Sequence, residues 1–166
     1  MILLLVFVGA WCKIKVSENW WMLLNSLVIT IIAKLIEAIF CNHTIKMKIL
    51  CCIGTLIYPL IDMSSAGWMA TTINYYWPLG AILINLYYLK KANNLIKLKW
   101  YEYIISSIAL LFAANQEQGF AILLGTYFFY IIYCFINKRK ISFFVILNIV
   151  LIIASGTYIF TCPGNW

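Results

Sequence analysis

Long apolar runs follow one another through this chain with only short polar breaks, and that succession decides what it can fold into. The runs cover 1–12, 20–41, 47–62, 75–89, 100–115, 119–137 and 141–160. A helix needs about 20 residues to cross roughly 30 Å of hydrocarbon. By length, 20–41, 119–137 and 141–160 meet that, and the others reach it only with interfacial residues or as partly re-entrant pieces. The runs are continuous rather than alternating, unlike the strands of a membrane barrel. With 65% of residues apolar and 10% charged, the composition fits a lipid solvent and leaves no room for a water-soluble domain. The expectation is an all-α fold: one polytopic transmembrane helix bundle over residues 1–166, with six to seven spans and a short re-entrant or interfacial segment near 63–74.

Charge placement sets the expected orientation. Lys and Arg number 12 against 5 Asp plus Glu. The surplus sits between apolar runs: Lys46 and Lys48, then Lys90, Lys91, Lys97 and Lys99, then Lys138, Arg139 and Lys140. Basic loops of this kind mark the cytoplasmic side. Seven crossings with the N-terminus inside put all three loops inside and the C-terminus outside, in a cell membrane. No basic patch exists outside these loops, so nucleic acid is not an expected partner and the lipid bilayer is. Lys34 and Glu37 lie three apart on one helix face, which reads as a local pair with Lys34 reaching toward the inner interface.

The remaining chemistry is sparse. The six cysteines, Cys12, Cys41, Cys51, Cys52, Cys134 and Cys162, form no CxxC pair and read as small membrane-embedded hydrophobes. Cys12 and Cys162 would share a membrane side, which is compatible with a disulfide. His43 stands alone in a basic loop, without the neighbours a metal site needs. Residues 1–12 lack a basic leader and a small-residue cleavage site. The apolar run that begins at Met1, and the stop at Trp166 just after a turn, lead us to expect a piece of a longer protein or a shortened reading frame.

In this topology the unusual polar residues gather on the outer face. Asp62 ends one run. The small-residue segment 63–74 follows, too apolar for a plain loop and tolerable at depth only when covered by protein or lining water. Asn74-Tyr75-Tyr76-Trp77-Pro78 comes next, then Asn115-Gln116-Glu117-Gln118, then Cys162-Pro163-Gly164-Asn165. Taken singly, each reads as an aromatic belt, a hairpin tip or a turn. Taken together, amides, acids and aromatics on one rim suit carbohydrate handling. Asn and Gln bond to hydroxyls, and aromatic rings cover the apolar faces of sugars. A carboxylate beside an acceptor hydroxyl acts as general base. The candidates are Asp62 and Glu117 as catalytic groups, with Asn74, Tyr75, Trp77, Asn115, Gln116 and Asn165 holding substrate. No metal ligands are assigned, although a divalent metal is compatible with the two acids.

The order Asn74-Tyr75-Tyr76-Trp77-Pro78, Asn115-Gln116-Glu117-Gln118-Gly119, Pro163-Gly164-Asn165 resembles a bacterial family of multi-spanning membrane proteins of unknown function, similar to the GT-C superfamily of glycosyltransferases. The resemblance covers roughly residues 20 to 166. It implies a cell-envelope enzyme that uses a polyprenyl-phosphate-linked sugar at the outer face. The chain departs from GT-C proteins in its first external loop, about 13–19, which holds Glu18 but no paired acids, and in its short length. Two other classes stay open. A transporter or flippase of lipid-linked sugars predicts ionisable residues around a midplane cavity. A non-catalytic accessory subunit is consistent with the missing acid pair.

Overall fold

A computed structural model of the chain describes residues 18–40, 45–56 and 72–161, with side-chain placement for all of these except 18–23, 51, 52 and 54–56. Among the described residues the fold is all helical. α1 spans Glu18–Phe40, α2 Ile45–Leu56, α3 Trp77–Asn93, α4 Trp100–Ala114, α5 Glu117–Ile136 and α6 Phe143–Thr161. A π-helical turn, Thr72–Tyr76, runs directly into α3. Its place follows from Pro78, which has no N–H to donate and whose ring crowds the carbonyl four residues back. A widened turn ahead of the proline relieves that crowding. The segment 63–74 expected to be re-entrant is described only from Thr72, where it is already helical; 63–71 lie outside the described residues.

The helices alternate up and down. α3 packs on α1 and α4, and α6 packs on α4 and α5. Each end is closed by recognisable chemistry. The Lys90 ammonium donates to the carbonyls of Ala38 (3.0 Å) and Ile39 (2.6 Å), satisfying the C-terminus of α1 with a cation from α3. Glu102, third residue of α4, reaches back to accept the Lys99 N–H at 2.7 Å. The Ser142 carbonyl receives the first bond of α6, from Val145 N–H at 3.0 Å. Lys46, Lys48, Lys90, Lys91, Lys97, Lys99, Lys138, Arg139 and Lys140 therefore share one end of the bundle, and Asn74, Asn115 and Gln116 the other.

Among the described residues two helices are individually long and apolar enough to cross a membrane: α5 with 20 residues and α6 with 19. At 1.5 Å per residue each is about 30 Å long, matching the hydrocarbon thickness. α4 is apolar but has 15 residues. This is fewer than the six to seven spans expected from the sequence.

Both helices bury a narrow stripe and leave most of their apolar surface uncovered. Only 22% of the α5 span and 33% of the α6 span is covered. The covered stripe of α5 is Gly119, Leu123, Tyr127 and Cys134, while Phe128, Phe129, Ile132, Phe135 and Ile136 face outward. On α6, Phe144, Val145, Asn148, Ile152, Gly156 and Ile159 are buried, and Phe143, Ile146, Val150, Ile153 and Phe160 are exposed. A water-soluble domain rarely presents so continuous an apolar belt.

Candidate functional site

The amide end is organised by the connection between α4 and α5. Only Asn115 and Gln116 separate these helices. So tight a hairpin needs close backbone approach, and Gly119 permits it. A Cβ at Gly119 would lie 2.1 Å from the Ala113 carbonyl oxygen, closer than non-bonded heavy atoms tolerate. Gln116 then serves as N-cap of α5 through its backbone, its carbonyl accepting the Phe120 N–H at 2.8 Å. Its side chain is left to point across the bundle end.

Across that end the Gln116 Nε2 donates to Asn74 Oδ1 at 3.4 Å, joining the hairpin to the π-turn. Asn74, Tyr75 and Gln116 line one open cleft of about 250 Å³, together with Pro78, Gln118 and Gly119. Its polar side chains are the amides of Asn74, Gln116 and Gln118 and the phenol of Tyr75, and its other lining residues are apolar. Such a surface can bond hydroxyls and cover an apolar ring face, and it carries no net charge of its own.

The other expected site residues go elsewhere. Trp77 turns toward α1, where its Nε1 donates to Asn25 Oδ1 at 3.3 Å. There it borders an apolar groove of about 390 Å³ with Ile32, Gly80, Ile84 and Phe112. Asn115 faces a third cleft, about 230 Å³, with Leu111, Ser155 and Tyr158. Glu117 is exposed as the first residue of α5, where a negative charge favours the helix N-terminus. It borders none of these three clefts. Asp62 and Asn165 lie outside the described residues, as do Cys12, Cys162 and His43. Among the described residues no group of three or more His, Cys, Asp or Glu side chains could hold a metal. The Lys34–Glu37 pair forms at 3.2 Å, and Lys48 from α2 joins the same carboxylate at 3.1 Å.

A second polar assembly lies deep in the bundle, and the reading of the sequence missed it. Asn85 of α3, Ser106 of α4, Tyr127 of α5 and Asn148 of α6 are all buried, the first three near the middle of their helices and Asn148 in the first third of α6. Asn85 Nδ2 donates to the Ser106 carbonyl and hydroxyl, both at 3.0 Å. The Tyr127 hydroxyl donates to Asn85 Oδ1. Asn148 lies beside Tyr127, but neither of its amide atoms makes a well-formed hydrogen bond. The signal was present in the sequence: Asn85 and Asn148 each stand alone inside an apolar run, and such residues turn inward in a lipid solvent.

Comparison with models of known families, with curated proteins and with solved structures gave no match.

Proposed function

We propose that the chain is an integral membrane helix bundle of the bacterial cell envelope that holds the sugar headgroup of a lipid-linked saccharide at its amide end, in the manner of a GT-C-like glycosyltransferase. The membrane part draws on the outward apolar belts of α5 and α6, and on the gathering of loop cations at one end. The other helices join these two as further spans, with the basic end inside and the amide end outside.

The observation that carries the headgroup reading is the cleft in which Asn74 and Gln116, 42 residues apart, meet beside Tyr75. The cleft opens at the end opposite the cations, where a saccharide carried on a membrane lipid would be presented. Glu117 follows Gln116 in the chain and is the described carboxylate we assign to base or metal contact, with Asp62 as its counterpart.

The test is binding of a polyprenyl-phosphate-linked sugar to the chain in detergent, followed by transfer of its labelled sugar in membranes. Losing two amide contacts with hydroxyls lowers affinity by roughly tenfold or more, so Asn74→Ala with Gln116→Ala should bind that much more weakly. Equal binding by the double variant removes the cleft from the site. Binding without transfer favours the second reading, transport of a lipid-linked sugar. That reading draws on the polar layer of Asn85, Ser106, Tyr127 and Asn148 at mid-depth.

A further inference from the structure

The two turns at the basic end are built alike. α3 closes with Ile96 N–H donating to the Lys91 carbonyl (3.3 Å) and Leu95 N–H to that of Ala92 (3.1 Å). α5 closes with Arg139 N–H donating to the Cys134 carbonyl (2.9 Å) and Lys138 N–H to that of Phe135 (3.2 Å). This paired cap usually has glycine at its left-handed position. Here Leu95 (φ 59°) and Lys138 (φ 52°) occupy it. Arg139 ties the turns together: its Nη1 donates to Asn93 Oδ1 at 3.1 Å, and its guanidinium lies 5.4 Å over the Tyr133 ring. The two turns thus form one platform.

Charge on this end is unbalanced. Among the described residues, ten cations (Lys34 and the nine named above) face two carboxylates, Glu37 and Glu102. Glu37 is held by Lys34 and Lys48, and Glu102 by Lys91. Lys97, Lys99, Lys138 and Lys140 make no ion pair with a described carboxylate. Among them stand Leu95, 90% exposed, Trp100, 75% exposed, and Phe135, 85% exposed. A turn in water has no use for large apolar groups interleaved with lysines. The boundary between headgroups and acyl chains accommodates both.

We propose that this platform binds the phosphates of anionic phospholipids, with Lys97, Lys99, Lys138 and Lys140 on the headgroups and Leu95, Trp100 and Phe135 in the acyl boundary. It rests on the membrane placement proposed above and is independent of the sugar cleft. To test it, the full chain is reconstituted in nanodiscs of equal phosphatidylglycerol and phosphatidylcholine, and the lipids retained on extraction are counted by native mass spectrometry. A lysine near an anionic surface contributes roughly fivefold in affinity. The parent chain should therefore retain phosphatidylglycerol preferentially. Lys138→Gln with Lys140→Gln should lower that preference by roughly tenfold or more, and so should Lys97→Gln with Lys99→Gln. Inorganic phosphate at matched ionic strength should leave the preference unchanged. Equal retention of both lipids by the parent, a preference unchanged in both double variants, or displacement by inorganic phosphate overturns the proposal. Nanodiscs of pure phosphatidylcholine separate the two readings: a chain that inserts there yet shows no preference in the mixed discs keeps the membrane and loses the platform.

Discussion

Replacing Asn85 by Leu tests whether the buried polar layer holds the helices together. The substitution keeps the branching and the number of heavy atoms, adds the bulk of two methyl groups, and removes three hydrogen bonds, two to Ser106 and one from Tyr127. The Tyr127 hydroxyl and the Ser106 hydroxyl are then left in a dry interior. An orphaned polar group costs about 1–3 kcal/mol in general, but hydrogen bonds inside membrane bundles average about 0.6 kcal/mol and reach about 1.7. The expected loss for Asn85→Leu is therefore about 2–3 kcal/mol. Tyr127→Phe leaves one acceptor of Asn85 unpaired and should lose about 1 kcal/mol. The decisive quantity is the double variant. Once the hydroxyl is gone, Asn85→Leu no longer orphans it, so the combined loss should fall short of the sum by about 0.6–1.7 kcal/mol. Reversible unfolding in mixed micelles, followed by far-ultraviolet circular dichroism, measures all three. Additivity within about 0.3 kcal/mol would show that Tyr127 and Asn85 do not act together. A stabilising Asn85→Leu would show that the layer serves something other than stability.

Three further outcomes follow from single contacts. Gly119→Ala drives a Cβ into the Ala113 carbonyl, a backbone atom that cannot swing aside, so the hairpin must open. We expect a loss of about 1–3 kcal/mol and weaker sugar binding, because Gln116 moves away from Asn74; unchanged stability would refute the close approach. Leu95→Gly removes a left-handed leucine, worth about 1 kcal/mol, and partly offsets that through the added freedom of glycine in the unfolded chain. The expected net is a gain of a few tenths to about 1 kcal/mol in micelles, and a clear loss would contradict the cap geometry. Lys91 lies beyond the apolar stretch 75–89, and its hydrogen bond to the Glu102 carboxylate holds it above the usual lysine range. A raised lysine stabilises fully below its ordinary value of about 10.4 and loses that contribution as pH rises through the higher folded value. The unfolding midpoint of the parent should fall in that alkaline window more steeply than that of Lys91→Met, and parallel curves would remove the pair from the stability of the basic end.

How much of this was legible in the sequence depends on what each feature rests on. The runs 119–137 and 141–160 foretold α5 and α6 to within two residues, because an unbroken apolar run leaves little choice of helix ends. The run 75–89 fell short of α3 because Lys90 and Lys91 continue the helix into the polar region, where their ammonium groups find Ala38, Ile39 and Glu102. That Asn74 and Gln116 share an end was readable from charge placement alone. Which residues around them share a cleft was not, since a step of one residue turns a helix by about 100°. Gln116 and Asn115 are neighbours in the chain yet face different clefts, and Trp77, three residues after Asn74, turns to α1. A motif read as a block assigns such neighbours one role. The packed bundle divides them, so substitutions at Gln116 and at Asn115 should separate in a sugar-binding measurement, with Asn74→Ala following Gln116→Ala and Trp77→Phe acting through the seating of α1. If Asn115→Ala and Gln116→Ala weaken binding alike, the hairpin acts as a unit and the cleft of Asn74 loses its claim to be the site.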